Sequence, residues 1–342
     1  MSGSLTTATW EPDPEADPRT YTYTFGGAEA VTQLRPRTVV STWTMDCFGG
    51  RVRATNDLAS QVCDPRYLNP QSGPFHVEGA RPGDTLAVHF VSIEPRETWG
   101  VSSTVPFFGA LTATPTTAML HTALAERTWI YEIDRSVGVV RYAAADTAFT
   151  AELPLDPMHG TVGVAPALGE ARSSLTPGDW GGNMDTPEMR AGVTAYFGVN
   201  VEGALLSLGD GHARQGEGET CGVAVECAMD TTFIVDLVPG QATPWPRLES
   251  DTHLMTTGSA RPLEDAFRIA HQQMVFWIAE LTGMSPLDAY QFVSQTALTP
   301  IANVVDTNYT VVCKVAKSLL GPVVAMGGAH AALRAAATTW RG

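Results

Sequence analysis

Short apolar runs dominate residues 20–260, and glycine, proline or threonine interrupts them roughly every 8–12 residues. Residues 85–93, TLAVHFVSI, alternate apolar and polar positions, which predicts a half-buried strand. Segments 129–142, 193–210 and 221–238 each contain two such runs around turn residues, which predicts three further pairs of strands. Short strands at this spacing favour a mainly β fold, with a β-sandwich and a barrel-like part.

The periodicity becomes helical in the C-terminal third of the chain. Apolar residues recur at helical spacing over residues 263–281, with Pro262 at the start and Gly283 just past the end. A second helix is predicted for SPLDAYQFVSQ, where Ser285 can cap the first turn. Residues 309–317, YTVVCKVAK, have the composition of a strand.

These patterns divide the chain into three predicted parts. Residues 1–19 include TWEPDPEADP, whose prolines and acids predict an extended N-terminal arm. Residues 20–254 would form the mainly β body, and residues 255–342 a smaller C-terminal α+β unit packed on that body. A chain of 342 residues can bury roughly 75% of its unfolded surface, so it needs neither a disulfide nor a metal to fold.

Charge and cysteine content narrow the possible partners. The formal net charge is -15, and we expect no nucleic-acid or membrane partner because both require a basic surface. The five cysteines form no CxxC pair, which predicts free thiols in a reducing compartment. The sequence shows neither the pattern of a signal peptide nor an apolar run of about 18 residues, so a cytoplasmic protein is expected.

Polar residues interrupt the apolar pattern at four places. These are TMDCFGG (44–50), NPQSGPFHVEGARPGD (69–84), DPMHGTVGVAP with GDWGGNMD (156–185), and GDGHARQGEGE (209–219). The first two also have purely structural interpretations. An Asp before small residues often caps a turn, as Asp46 could, and Glu78 could lie on a strand between two turns.

The fourth segment carries the strongest chemical signal. It holds four glycines, one histidine and three carboxylates in eleven residues, although such a segment is more often a solvated turn than a site. Asp210, Glu217 and Glu219 crowd His212, and like charges raise one another's pKa unless a cation lies between them. These donors suit Zn²⁺, or Mn²⁺, Mg²⁺ or Ca²⁺ where oxygen ligands dominate. The segment therefore predicts a divalent metal site, with zinc as the first choice.

Several other mechanisms lack their motifs. The chain has no G-x-S-x-G elbow, no P-loop and no properly placed GxGxxG. Lys314 and Lys317 are its only lysines and share one predicted strand, which argues against a Cys–Glu–Lys amidase. Hydrolysis supported by a metal remains, in which the ion polarises a carbonyl and a carboxylate moves the proton.

The motifs together resemble the acetamidase/formamidase family. MDCFGG, NPQSGPFHVEGARPGD, HGTVGVAP, GGNMD and LGDGHARQGEGE occur in the order and spacing of that family, and VVDTNYTVVCKVAK resembles its closing segment. The resemblance covers roughly residues 20–320. It implies hydrolysis of short linear amides such as formamide and acetamide to ammonia and a carboxylate. It also implies a mainly β fold with a small α+β part, a divalent metal, and association into a homo-oligomer.

The resemblance also suggests site residues. The motif residues of the family correspond here to Asp46, Glu78, Asn183, Asp185, Asp210, His212 and Glu219. Among them, we expect Asp46, Asp185 and His212 to hold the ion.

The remaining residues receive catalytic or lining roles. Glu219 or Glu217 would act as general base and then as general acid, although the family more often has Asp at the position of Glu217. Asn183 would stabilise the tetrahedral oxyanion, and Glu78 would bind the amide NH₂ or the departing ammonia. His159 is expected to line the pocket, with a role as a metal ligand as the second choice.

Two alternatives stay open at this point. One is a thiol amidohydrolase with Cys47 as nucleophile and Glu78 or Asp46 as base, which needs a cation because a neighbouring carboxylate raises a thiol pKa. The other is a non-catalytic β protein that binds a small ligand. Clustered carboxylates argue against the second alternative, because unpaired buried charge is costly.

Overall fold

The computed structural model describes residues 5–112, 120 and 122–340. Its strands are, in chain order, β1 Thr6–Thr9, β2 Thr24–Phe25, β3 Thr32–Leu34, β4 Thr38–Thr44, β5 Gln71–Val77, β6 Thr85–Pro95, β7 Trp99–Thr104, β8 Arg127–Asp134, β9 Val139–Ala143, β10 Thr150–Pro154, β11 Met158–Gly163, β12 Arg172–Ser173, β13 Gly181–Asn183, β14 Thr194–Gly198, β15 Leu206–Arg214, β16 Val225–Glu226, β17 Met229–Val238, β18 Arg247–Glu249, β19 His253–Ala260, β20 Ile301–Asn303 and β21 Tyr309–Ala316. The α-helices are α1 Ala59–Val62, α2 Leu263–Thr282, α3 Pro286–Thr296 and α4 Ala329–Thr339.

Two large sheets carry these strands. Sheet A has nine strands in the order β1-β4-β17-β6-β14-β18-β19-β21-β20. Sheet B has ten strands, eight of them in the order β10-β9-β8-β7-β16-β15-β11-β13, while β5 pairs with β15 and β3 pairs with β5. The prediction of a mainly β fold with a smaller C-terminal helical part is confirmed.

Sheet A is buried on both faces. Val88 and Phe233 point to a core that also contains Leu206 and Phe75 of sheet B, so this core lies between the two sheets. Ala87 precedes Val88 on β6 and points to the other face of sheet A. There it belongs to a second core, which is formed with residues of the C-terminal helices. The predicted strand at 85–93 is therefore present, but the prediction that it is half-buried is wrong, because helices cover its second face.

Only one of the three predicted strand pairs is a hairpin. Strands β8 and β9 pair antiparallel, as the pattern at 129–142 predicts. The runs at 193–210 form β14 and β15, and those at 221–238 form β16 and β17, but in both cases the two strands belong to different sheets. These connections therefore cross between the layers of the sandwich.

The helix signals in the C-terminal third are confirmed. Helix α2 begins after Pro262 and ends at Gly283, whose φ of 74° is the left-handed conformation that favours glycine at this position. At the start of α3, the Ser285 hydroxyl accepts a hydrogen bond of 3.1 Å from the backbone N–H of Asp288.

The predicted boundaries do not separate structural layers. The boundary between residues 254 and 255 falls inside β19, and β19 pairs with β21 to continue sheet A. The C-terminal unit therefore shares a sheet with the body. At the other end, Thr6–Thr9 of the predicted arm pairs parallel with β4, whereas residues 1–4 lie outside the described residues. Among the described helices, none is both long and apolar enough to cross a membrane.

One histidine in sheet A makes the fold sensitive to acid. His89 on β6 is 2% exposed, and its Nδ1 lies 2.9 Å from the Thr194 hydroxyl. Burial, with a smaller contribution from His330, lowers the pKa of His89 to about 4. Asp251 acts in the opposite direction, and Arg334 lowers the pKa further.

The free energy of unfolding should therefore fall as the pH drops from about 6.5 towards 4. The unfolded histidine has the higher pKa, so the unfolded chain binds more protons in this window, at a cost to folding of up to about 3 kcal/mol. His89→Asn removes the titrating group, so its unfolding free energy should decline less than that of the parent. Urea unfolding above and within this window measures the difference, and parallel declines would contradict the assignment.

Candidate functional site

The segment GDGHARQGEGE is not a solvated turn in its first half. β15 runs through it inside sheet B, between β16 and β11, and its residues 206–213 are buried. The glycines allow close packing. A Cβ on Gly211 would lie 2.2 Å from Cγ of Met229, and one on Gly209 would lie 2.7 Å from the carbonyl oxygen of Pro70. These glycines therefore allow neighbouring segments to pack closely against β15, and they do not indicate a flexible loop.

Five carboxylates and one imidazole are buried around this strand. They are Asp185, Asp210, His212, Glu219, Glu226 and Asp306, and each is at most 7% exposed. Asp210 and His212 lie on β15 and Glu226 lies on β16, while the other three follow β13, β15 and β20. Carboxylates removed from water in this way require protons, hydrogen bonds or a cation.

His212 presents Nε2 to the carboxylates of the cluster, 3.2 Å from Oε2 of Glu226 and 3.4 Å from Oδ1 of Asp210. Its Nδ1 lies 3.0 Å from Oε1 of Gln215. The Gln215 amide is oriented by its Nε2, which donates to the backbone oxygens of Asp185 and Ala302 at 2.6 and 3.0 Å. Nδ1 of His212 therefore carries a proton. Burial opposes a second proton, but Glu226 and Asp210 together raise the pKa of the imidazole well above its usual value, so Nε2 is protonated too unless a cation takes the place of that proton. A histidine that ligates a metal is oriented by such a bond from its other nitrogen.

Asn183 orients two of the carboxylates. Its Nδ2 donates to Oδ2 of Asp185 at 3.0 Å and to Oδ2 of Asp306 at 2.8 Å, while its Oδ1 accepts from Asn69 at 2.9 Å. Asn303 also donates to Oδ2 of Asp185, at 3.2 Å. Both amide hydrogens of Asn183 are thus in use. The predicted oxyanion role is therefore not supported by the structure, and Asn183 is a positioning residue.

Three of the carboxylates sit on strained backbone. Asp185, Asp210 and Glu219 have φ values of 46°, 59° and 46°, in the left-handed region that residues other than glycine seldom adopt. Each such residue costs on the order of 1–3 kcal/mol and persists only where the surrounding structure determines it. Here all three residues with this strained backbone place their carboxylates in the cluster.

Burial dominates the electrostatics of the cluster. It raises the pKa of Glu226 and of Asp306 to about 7, and it holds the pKa of Asp185 well above the ordinary range, with a further rise from Glu219. Burial opposes ionisation of Asp210 as well, but the neighbouring His212 keeps the pKa of Asp210 below its usual value. The cluster therefore holds protons near neutral pH unless a cation replaces them.

One set of donors fits a metal ion. Asp185, His212 and Glu219 each offer a ligand atom, and these atoms lie within 4.8 Å of one another. Oδ1 of Asp185 is buried without a hydrogen-bond partner. Orphaned buried acceptors are rare in folded proteins, and an ion bound between Asp185 and His212 would satisfy this oxygen and replace the proton on Nε2 of His212.

Gly160 on β11 makes room for this set. A Cβ at this position would lie 2.4 Å from Oδ1 of Asp185, 2.6 Å from Oδ2 of Asp210 and 2.9 Å from Cε1 of His212. Only a residue without a side chain lets the three groups approach one another here.

Two predicted residues are not part of this donor set. Oδ1 of Asp46 accepts hydrogen bonds from the backbone N–H groups of Phe48 and Gly50, at 2.8 and 3.1 Å. Asp46 is therefore a buried turn cap, and the structure does not support its predicted role as a ligand in this set. Glu78 lies at the surface, 3.6 Å from Arg35, so its predicted role at the amide nitrogen is not supported either.

Glu217 and His159 lie next to the cluster. Glu217 is exposed and lines a cavity of about 200 Å³ together with Glu219. His159 is fully buried, and its nitrogens lie 2.9 Å from the carbonyl of Gly209 and 2.8 Å from the hydroxyl of Thr231. With both nitrogens hydrogen-bonded, His159 supports β15 and is not available as a ligand.

Sequence reasoning missed two cluster members. Glu226 is a single acid inside the apolar run CGVAVECAM, and that isolation was its only signal. Asp306 lies in VVDTNYT, a segment that matched the family pattern without pointing to any one residue. Both become members only because distant strands converge on β15.

The chain is similar in sequence and in fold to known proteins of one family. The model of the Acetamidase/Formamidase family matches residues 26–167 and 101–294. The crystal structure of an acetamidase from Yersinia enterocolitica is 37% identical, covers 93% of this chain and 94% of that one, and superposes with a TM-score of 0.86. For an acetamidase from Bacillus halodurans the identity is 30%, the coverage is 92% of this chain and 100% of that one, and the TM-score is 0.79.

A curated formamidase from Methylophilus methylotrophus is 28% identical over 243 residues. That alignment covers 57% of this chain and 58% of the formamidase, so the match spans little more than half of either protein.

Gly160→Ala should disrupt the cluster while the fold is kept. The added methyl group forces the Asp185 and Asp210 carboxylates away from His212. Zn²⁺ added to chelator-treated parent protein should raise its melting temperature, since about 100-fold excess over Kd stabilises by about 2.7 kcal/mol. This rise should disappear in Gly160→Ala.

Gly216→Ala is the matched control, because a Cβ there meets nothing within 4 Å. It should respond to Zn²⁺ as the parent does. Equal responses from all three proteins would contradict the assignment of this cluster as a metal site.

Proposed function

The chain belongs to the acetamidase/formamidase family, and we propose on that premise that it hydrolyses a short linear amide to ammonia and a carboxylate with the help of a divalent metal ion. The observation that carries this proposal is the buried set Asp185, His212 and Glu219, whose ligand atoms lie within 4.8 Å of one another. The cavity beside Glu219, of about 200 Å³, suits a small substrate such as formamide or acetamide.

Asp185 and His212 would hold the ion. Oδ1 of Asp185 is buried without a hydrogen-bond partner, and Nε2 of His212 faces the same carboxylate cluster. An oxygen with a nitrogen donor suits Zn²⁺ or Mn²⁺ better than Mg²⁺ or Ca²⁺. The ion would supply Lewis acidity towards the amide carbonyl. Asp185 and His212 are two of the three metal ligands that the sequence predicted. The third, Asp46, is not included.

Glu219 is suited to move the proton. Its carboxylate belongs to the buried set and also lines the cavity, so it can face both the ion and the substrate. Burial raises the pKa of Glu219 well above its usual value, which lets the carboxylate hold a proton during turnover. It would take a proton from the attacking water and deliver it to the amide nitrogen, which leaves as ammonia. Asn183 and Asn303 keep Asp185 in place through their hydrogen bonds.

The thiol mechanism fits the structure less well. Burial, together with Glu226, Asp210 and Asp46, raises the pKa of the Cys47 thiol well above its ordinary value. A thiol must ionise to act as a nucleophile, and these carboxylates oppose ionisation. A purely ligand-binding role is also disfavoured, since so many buried carboxylates cost stability without contributing to binding a neutral molecule. Cytoplasmic location and assembly into a homo-oligomer stay predictions.

Chelation should abolish amide hydrolysis. Removing divalent ions from the full-length protein should reduce ammonia release from formamide and acetamide to background, and Zn²⁺ or Mn²⁺ should restore it. Ion content measured on the same samples provides the control. Full activity in protein shown to be free of metal would exclude the metal-dependent mechanism.

Glu219 and Glu217 can be separated by matched substitutions. Glu219→Gln should lower kcat by about 10²–10⁴-fold with the bound ion retained, because the proton acceptor is lost. Glu217→Gln should stay within a few-fold of the parent, since that side chain is exposed at the cavity edge. A larger loss in Glu217→Gln than in Glu219→Gln would overturn the assignment, as would loss of the ion from Glu219→Gln.

A further inference from the structure

A cavity of about 300 Å³ lies outside the carboxylate cluster, with side chains from β4 of sheet A and β7 of sheet B in its lining. The side chains that matter for its chemistry are Trp43, Asp46, Arg53, Arg96, Glu97 and Trp99. Among the described residues that line this cavity, none is one of the six members of the cluster. We propose that this cavity, which no step of the proposed amide hydrolysis uses, binds a small organic ammonium ion with its charged nitrogen at Asp46.

Asp46 supplies the acceptor. It is 7% exposed, so more than nine-tenths of the residue is buried. Its Oδ1 accepts hydrogen bonds from the backbone N–H groups of Phe48 and Gly50, whereas Oδ2 receives no hydrogen bond from any described residue. Since Asp46 lines the cavity, Oδ2 is the carboxylate atom that remains for a ligand. A charged acceptor that is removed from water without a donor is costly, and a ligand with N–H groups would provide that donor.

The donor should also carry a positive charge. Burial raises the pKa of the Asp46 carboxyl, and the N–H groups of Gly50 and Phe48 and the charge of Arg53 only partly oppose this shift. A cation at Oδ2 would offset the cost of burying the carboxylate. A primary ammonium group carries that charge on a nitrogen with three N–H donors. Such a group therefore meets the charge and the hydrogen-bonding requirement of Asp46 together.

The two arginines of the lining do not neutralise Asp46 by direct contact. Arg96 pairs with Asp230 at 2.5 Å, and Nε of Arg53 donates to the carbonyl oxygen of Gly50 at 2.5 Å. In the part of the chain that the structure describes, neither arginine forms an ion pair with Asp46. Both arginines are exposed, so water and salt screen their charges, whereas the buried carboxylate is screened much less. The charge of Asp46 therefore dominates for a ligand inside the cavity.

Trp99 gives the cavity an aromatic wall for an organic cation. The ring of Trp43 already stacks with Arg96, whose Cζ lies 4.8 Å from the ring centroid. No cation is recorded over the ring of Trp99 among the described residues, and Trp99 lines the cavity. The face of a tryptophan ring attracts an ammonium ion, and its apolar surface can cover an alkyl chain. The cavity therefore suits an alkylammonium ion better than a hydrated metal ion.

Calorimetric titration of the full-length protein with n-butylammonium tests the site. The parent should bind one ion per chain, whereas 1-butanol, which has the same alkyl chain without the charge, should show no measurable binding. Asp46→Asn should weaken n-butylammonium binding about 10–100-fold, because a hydrogen bond between charged groups is lost. Asparagine keeps a side-chain oxygen, so the hydrogen bonds from Phe48 and Gly50 that cap the turn can persist in this variant.

Asp64→Asn is the matched control and should bind n-butylammonium as the parent does. Asp64 also caps a turn, where it accepts a hydrogen bond of 3.0 Å from the backbone N–H of Arg66, but it does not line this cavity. Trp99→Leu is a second test and should weaken binding about 2–5-fold through loss of the aromatic face. Should Asp46→Asn not fold, as judged by circular dichroism, Trp99→Leu tests the same cavity.

These outcomes are separate from those for amide hydrolysis. A parent that binds no n-butylammonium overturns the ammonium site, and so does equal binding of 1-butanol or undiminished binding in Asp46→Asn or Trp99→Leu. Removal of divalent ions should leave the affinity for n-butylammonium unchanged, and loss of binding on their removal would contradict the site by assigning the amine to a metal. None of these results bears on the proposed function, which chelation and ammonia release test independently.

Discussion

The cost of burying carboxylates governs this molecule. Five of them surround one imidazole where water is nearly excluded, and burial drives the pKa of Glu226 and Asp306 to about 7. Such a group is stable only if each negative charge meets a proton, a hydrogen-bond donor or a cation. This requirement explains the asparagines that donate to Asp185 and the imidazole of His212 that lies between Glu226 and Asp210. It also explains why the unpartnered Oδ1 of Asp185 points to a bound cation.

The architecture makes that burial possible. Sheet B places β15 between other strands, so Asp210 and His212 project from a rigid element and not from a mobile loop. Sheet A closes one side of the core, and helices cover the far side of sheet A. Gly160 leaves the space in which the charged groups meet. The two sheets therefore exclude water from the cluster and fix the positions of its side chains, and the polar side chains supply the chemistry.

Position along the chain does not reveal how a polar group is used. Asn183 is the right residue type for an oxyanion donor, but its two hydrogens are already bound to Asp185 and Asp306. Asp46 caps a turn, as one of its two sequence-based interpretations held. Glu78 lies in a motif that resembles the family, but its side chain is at the surface beside Arg35. Hydrogen-bond partners decide these roles, and they come from distant segments.

Local patterns determined much of the fold, because periodicity, caps and turn residues are properties of neighbouring positions. They identified the mainly β character, the helices α2 and α3 with their ends, and the segment that carries His212. Only the tertiary structure decided that this segment is a buried strand, that 193–210 and 221–238 each span two sheets, and that Glu226 and Asp306 join the cluster. Those outcomes depend on which strands pair across long separations in the chain, and a single sequence carries no local signal for such pairing.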